Sequence, residues 1–251
     1  MNNQITLQGQ PSLRQSEGWF YVIMAIIAIA IAIAGFAPAA ASTASRRAPL
    51  TWALVLHGAI FGAWILLFLT QTILIKKRML GIHRRLGYLG ALLAVLMVLS
   101  GYITAISMAR RGFDLSGDLI QGTGDPLELL VFQIGDLLSF SILVGLAIWY
   151  RSKPAVHKRL MLLATVGSLM PAALTHIIGH SPVLRQITAP IITLPLFMLL
   201  FAGALHDRLS QGRIHPVSLW VALALFVWAN LRAVVIGPSD AWHNFAQWLI
   251  K

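Results

Sequence analysis

The chain has 251 residues, 58% of them hydrophobic and 11% charged, with a net charge of +11 and a mean hydropathy of +0.78. A water-soluble domain carries about 25% charged residues, so there is too little charge here to cover a surface in water, and an integral membrane protein is the class left standing. The cations lie in short clusters between apolar runs, which assigns them to topology and anionic headgroups rather than to nucleic acid, and the lack of cysteine excludes disulfides, thiolate metal sites, iron–sulfur clusters and covalently attached haem.

A membrane-spanning helix needs about 20 apolar residues at 1.5 Å rise. Seven stretches meet that length: 19–39, 50–75, 86–108, 127–150, 159–180, 187–206 and 216–237. The expected fold is therefore all-α, a single polytopic bundle of about seven spanning helices over 19–237. A polar segment, 1–18, precedes it and an amphipathic tail, 239–251, follows.

The first stretch is longer than the apolar core of a signal peptide, so it reads as a retained helix. The small residues of "GFAPAAASTAS" leave a cleavable signal as the alternative. The second stretch carries His57, Phe61, Trp64, Phe68 and Gln71 on one stripe, with His57 and Gln71 about 21 Å apart along the axis. Gly58 and Gly62 beside the stripe would let another helix approach closely. Either the stripe faces the bundle with satisfied polar ends, or it is a ligand histidine with aromatic walls.

Two helix mouths are written alike, "GIHRRLGYLG" from Gly81 and "AVHKRLMLLA" from Ala155. Their Arg and Lys residues are basic anchors. Their histidines, His83 and His157, then lie at one depth on two helices. The fourth stretch buries Gln133 and Asp136, and a carboxylate at that depth has to face the bundle interior with a partner or a proton. Arg232 in the seventh stretch is the natural structural partner. A metal-ligand or proton-relay role for Asp136 is the functional alternative.

The fifth stretch holds Pro171, expected to kink it, and ends in His176 and His180, four apart on one face. That spacing suits two ligands of one metal, or one axial haem ligand and a partner. No Glu follows His176, so the metalloprotease motif is absent. His215-Pro216 opens the seventh helix with Pro in its first turn. In the tail, "SDAWHNFAQWLI" has a Ser or Asp cap and apolar residues at helical spacing, an interfacial helix.

Orientation follows from Lys and Arg placement. Twelve (Arg14, Lys76, Lys77, Arg78, Arg84, Arg85, Arg151, Lys153, Lys158, Arg159, Arg208, Arg213) fall on the side of the "KKRMLGIHRR" loop, and six (Arg46, Arg47, Arg110, Arg111, Arg185, Lys251) on the other. The positive-inside rule then puts the N-terminus in the cytoplasm and the C-terminus outside, in a bacterial inner membrane with anionic headgroups at the basic face. His57, Asp136, His176, His180 and Arg232 all come to the outer half, joined by Tyr102 and Asn230. Gln71, His83, His157, His206, Asp207 and His215 come to the inner end.

The order H…HRRLG…GD…HKRLMLL…GRIHPxxLW, from His57 to Trp220, resembles a largely uncharacterised bacterial family of small polytopic membrane proteins, which implies the bundle and no defined activity. More distantly, histidines on several helices of a small bundle resemble cytochrome b561-type proteins, which hold two b haems between histidine pairs on a four-helix core. That resemblance implies haem b, an inner site at His83 with His157, and an outer one at His57 with His176 or His180. It also implies electron transfer with a quinone or other redox partner. The chain departs from that pattern in offering Gln133 and Asp136 where such a core has a histidine. A second reading is a metal-dependent membrane enzyme, hydrolytic or oxygen-activating, with a divalent ion on His57, Asp136, His176 and His180. It resembles the membrane hydrolases related to ceramidases. A third is a transporter, assembly factor or scaffold with no cofactor, in which Asp136 and Arg232 form a proton relay or structural pair.

Overall fold

The computed structural model describes residues 12–41, 51–112, 125–180 and 189–251, with backbone alone at 12–17, 39–40, 179–180 and 189–193. Every regular element among them is helical: α1 Ser12–Ala41, α2 Trp52–Lys76, α3 Leu80–Arg111, α4 Pro126–Trp149, α5 Pro154–His180, α6 Ala189–Gln211, α7 Pro216–Leu231 and α8 Asp240–Leu249. A π-helical turn, Arg232–Ile236, continues α7.

Six of these are long and apolar enough to cross a membrane: α1 to α5, and α7 with its π-turn. Large apolar residues such as Ile33, Leu92 and Val227 stand exposed along them. In water such a surface would aggregate. Against lipid tails it is the matching solvent, and packing between helices then rests on dispersion, small residues and hydrogen bonds. The described part of α6 does not reach the same apolar threshold.

Helices α1 to α5 form a closed ring, each packed on the next and α5 packed back on α1. Helices α6 and α7 lie against the far side of α5, which is the most buried span. The core fills the ring with Met24, Trp64, Phe68, Met97, Phe140, Leu163 and Met170. Trp64 spans it, with its indole N–H donating to Thr165 Oγ1 on α5 at 3.2 Å and its ring edge-on to Phe140 of α4 at 5.0 Å. Where α1 meets α5, Gly35 touches backbone, and a Cβ there would sit 2.5 Å from the Ala173 carbonyl oxygen.

The ends follow local chemistry. Asp125 caps α4, accepting from Leu127 N at 2.9 Å ahead of Pro126, and Ser239 caps α8, accepting from Trp242 N at 3.2 Å. Such caps are worth about 1 kcal/mol each. Helix α2 ends in a Schellman turn: Met79 N donates to Leu74 O and Arg78 N to Ile75 O, with Arg78 at φ 60° in the left-handed position glycine usually takes.

Helix α5 continues through Pro171 as α-helix. Two expectations need correction. Among the described residues, no atom of another element comes within 4 Å of a Cβ built at Gly58 or Gly62, so no described helix uses that groove. Tyr102 and Asn230 are exposed rather than turned to a site, and the Asn230 amide donates back to Phe226 O in its own helix. Arg46, Arg47, Asp114, Asp118 and Arg185 lie outside the described residues, as does the His180 side chain.

Candidate functional site

The basic end brings together the starts of α3, α5 and α7 and the ends of α2, α4 and α6. His83 on α3 and His157 on α5 face each other there, with ring centroids 6.4 Å apart and planes crossed at 83°. His157 Nδ1 lies 2.8 Å from Ala147 O on α4. A carbonyl only accepts, so Nδ1 carries the proton and Nε2 keeps its lone pair. On the other side, Gln71 of α2 donates its amide N–H to the backbone oxygen of His83 at 3.2 Å. Gln71 Oε1 and His83 Nδ1 are both buried without a partner.

Beside this pair lies a buried ion pair that the spacing of residues does not announce. Arg159 of α5 holds Asp207 of α6 through two nitrogens, Nε at 3.0 Å and a closer Nη2 contact, and the side chains are 3% and 1% exposed. Ser218 on α7 donates to Asp207 Oδ2 at 2.5 Å and accepts from Arg159 Nε at 3.0 Å, while Arg159 Nη1 donates to Ala155 O at 2.6 Å. Three helices are thereby tied at one point. His215 caps α7 with Nδ1, accepting from Val217 N at 3.2 Å. Burial, then the Arg159 cation, hold the His215 pKa below its ordinary 6.5, with Asp207 pulling the other way.

Three consecutive aromatic residues of α1 fan out around this end. Lys76 of α2 sits over Trp19, Phe20 stacks on His206 of α6 at 4.0 Å, and Lys158 of α5 lies 5.4 Å over Tyr21.

The opposite half holds a second ion pair. Arg232 Nη1 is 2.8 Å from Asp136 Oδ1 and donates to Phe132 O at 2.8 Å. The guanidinium lies between Phe132 and Trp228, with centroids 5.7 and 5.3 Å away. Gly135 makes room, since a Cβ there would meet Arg232 at 2.4 Å. Arg232 Nε has no partner, and neither has Gln133 Oε1.

His57 has different neighbours. Thr104 donates its hydroxyl to Ser100 O at 2.6 Å, so its oxygen accepts from His57 Nδ1 at 3.2 Å, and the ring packs on Phe61 at 4.1 Å. His176 packs on Phe36 of α1 at 4.8 Å. Among the described residues, no three His, Asp or Glu side chains come together as a metal site. Of the predicted site residues, the structure thus joins His83 to His157 and Asp136 to Arg232, and it sets His57 and His176 against separate neighbours.

Helix α8 lies on the start of α4. Trp242 donates to Leu127 O at 2.7 Å, and His243 Nε2 meets Asp125 at 3.0 Å. The Ser239 carbonyl on Nδ1 raises the His243 pKa above 6.5; burial opposes it, and Asp125 and then Glu128 add to the rise.

Together, fold and composition define a multi-pass helical membrane protein. No family model, curated protein or solved structure matches the chain.

Proposed function

We propose that this is a multi-pass protein of the bacterial inner membrane, basic end in the cytoplasm, that binds one haem b between His83 and His157 and takes part in electron transfer. The spacing of the two rings carries the reading. A metal–imidazole bond is about 2.0–2.1 Å and the ring centroid lies ~1.1 Å behind the nitrogen, so two axial imidazoles of one metal stand roughly 6.3 Å apart. The observed separation is 6.4 Å.

The donor set points the same way. A bare ion takes three or four protein ligands, whereas a macrocycle supplies its own equatorial nitrogens and needs only two. Two histidines with no third His, Asp or Glu beside them among the described residues fit the second case. The Ala147 carbonyl orients His157 with Nε2 toward bonding, as ligand histidines require. Arg84 and Arg85 follow His83 in the chain and are exposed, which offers cations to propionates at headgroup depth. Bound haem would supply a one-electron carrier, with a membrane quinone or a cytoplasmic donor as its partner. The seventh span, α6, and the interfacial setting of α8 belong to the same proposal.

The test is a pyridine haemochrome assay on detergent-purified protein from cells supplied with iron and haem precursor. About one protohaem per chain is expected. Protein free of haem under those conditions contradicts the reading.

The Asp136–Arg232 pair, with Arg232 Nε unpartnered beside a π-turn, favours a second reading as a proton relay in a transporter. In that case Asp136→Asn abolishes transport while no cofactor is bound.

A further inference from the structure

Gln71 lies beside the histidine pair, bonded to the backbone of His83. It comes from the last two turns of α2, the helix that neither histidine belongs to, and reaches the first turn of α3. Its amide N–H donates to the backbone oxygen of His83 at 3.2 Å. That bond anchors the amide group against the residue whose ring faces His157.

Two complementary buried groups then remain on the same two residues. Gln71 Oε1 is an acceptor with no donor, and His83 Nδ1 is a ring nitrogen with no partner. A carboxamide carries donors on nitrogen and lone pairs on oxygen, so one group can serve two points of one neighbour. Buried polar groups left unpaired are costly, and a donor and an acceptor on neighbouring side chains relieve that cost by pairing. His157 already has such a partner in the Ala147 carbonyl; His83 has none yet.

We propose that Gln71 is the positioning residue of His83, gripping it at two points: its N–H on the His83 carbonyl and its oxygen on the Nδ1 proton. The grip fixes the tautomer that leaves His83 Nε2 unprotonated, matching what Ala147 does for His157. The partner is a neutral amide, so His83 acts as an ordinary imidazole rather than as the stronger donor that a carboxylate partner would make of it. The inference rests on the histidine-pair reading above.

The experiment uses the haem-loaded full chain, with wild type, Gln71→Glu, Gln71→Leu and, as a control, Gln133→Leu, the other buried amide, on α4. Midpoint potential is measured by redox titration, and haem loss by transfer to excess apomyoglobin. Gln71→Glu is nearly isosteric. It should lower the midpoint potential, because a carboxylate on Nδ1 strengthens the ring as a donor and favours the oxidised metal. Gln71→Leu should release haem about 10-fold faster or more, the usual cost of losing an outer partner of a metal ligand. Gln133→Leu should match wild type in both. A Gln71→Glu potential equal to wild type, or a Gln71→Leu release rate equal to wild type, overturns the positioning role while the histidine-pair reading stands. Wild-type protein that carries no haem removes both, so the two failures are distinct.

Discussion

The two buried ion pairs of this protein are built differently. At the basic end, both Asp207 oxygens are taken by Arg159, with Ser218 and the His215 backbone N–H sharing one of them, and Arg159 Nη1 is spent on Ala155. In the opposite half, Arg232 meets Asp136 through one nitrogen and leaves Nε unpartnered, and the guanidinium is held as much by Trp228 and Phe132 as by charge. A buried pair repays its desolvation only when geometry is good and the remaining protons and lone pairs are satisfied. By that rule the first pair is a clamp on α5, α6 and α7. The second is a cation wedged between aromatic rings with capacity to spare, the more easily rearranged of the two.

The sharpest way to break the comparison is to empty each site of one partner. Arg159→Met should cost about 3–5 kcal/mol, because it strands a carboxylate that is 1% exposed. Thermal unfolding in detergent reads this, and Arg159→Met with Asp207→Leu should recover most of the loss. If the single change leaves the melting temperature where it was, Asp207 is not the clamp described.

The opposite half is probed by filling space. Gly135→Ala places a Cβ 2.4 Å from Arg232 and should cost about 1–3 kcal/mol as the guanidinium is pushed off Phe132 and Trp228. Gly145→Ala on the same helix meets nothing within 4 Å and should stay within about 0.5 kcal/mol of wild type. Equal melting for the two variants would show that Arg232 is not wedged there.

The smallest effect is at α8. The folded pKa of His243 lies above its ordinary 6.5, so the contribution of the His243–Asp125 contact is fully present below pH 6.5. It is lost as pH rises through the raised value. Protection of the α8 amides, corrected for the intrinsic pH dependence of exchange, should therefore fall across that window, and His243→Gln should remove that fall. Protection that is flat with pH in wild type would exclude a contribution from the His243–Asp125 contact.

Much of this was legible in the sequence because the bilayer leaves few options. Runs of about 20 apolar residues can only be helices there. Ser239 announces its cap by residue type, Pro216 its place in a first turn, and a carboxylate as deep as Asp136 demands a partner, which Arg232 supplies. His83 and His157 share a depth because their helices enter from the same end. What the chain hides is lateral packing. Arg159 and Asp207 sit near helix ends, where charges look like headgroup anchors, and only the meeting of α5, α6 and α7 buries them. One signal was present: Asp207 lies in the last two turns of α6, towards the end where the helix dipole disfavours an acid and a cation is wanted nearby. The Gly58 and Gly62 spacing misleads in the opposite direction, since small residues permit close approach without supplying a partner.

The central claim is that the histidine pair at the basic end holds a cofactor and that His57 does not. It is tested most directly by dithionite-reduced minus oxidised absorption spectra of purified wild type, His83→Ala, His157→Ala and His57→Ala. The account predicts a b-type difference spectrum in wild type that survives in His57→Ala and disappears in both basic-end variants. A wild-type spectrum without a Soret band, or one bleached by His57→Ala and kept by His157→Ala, would contradict it.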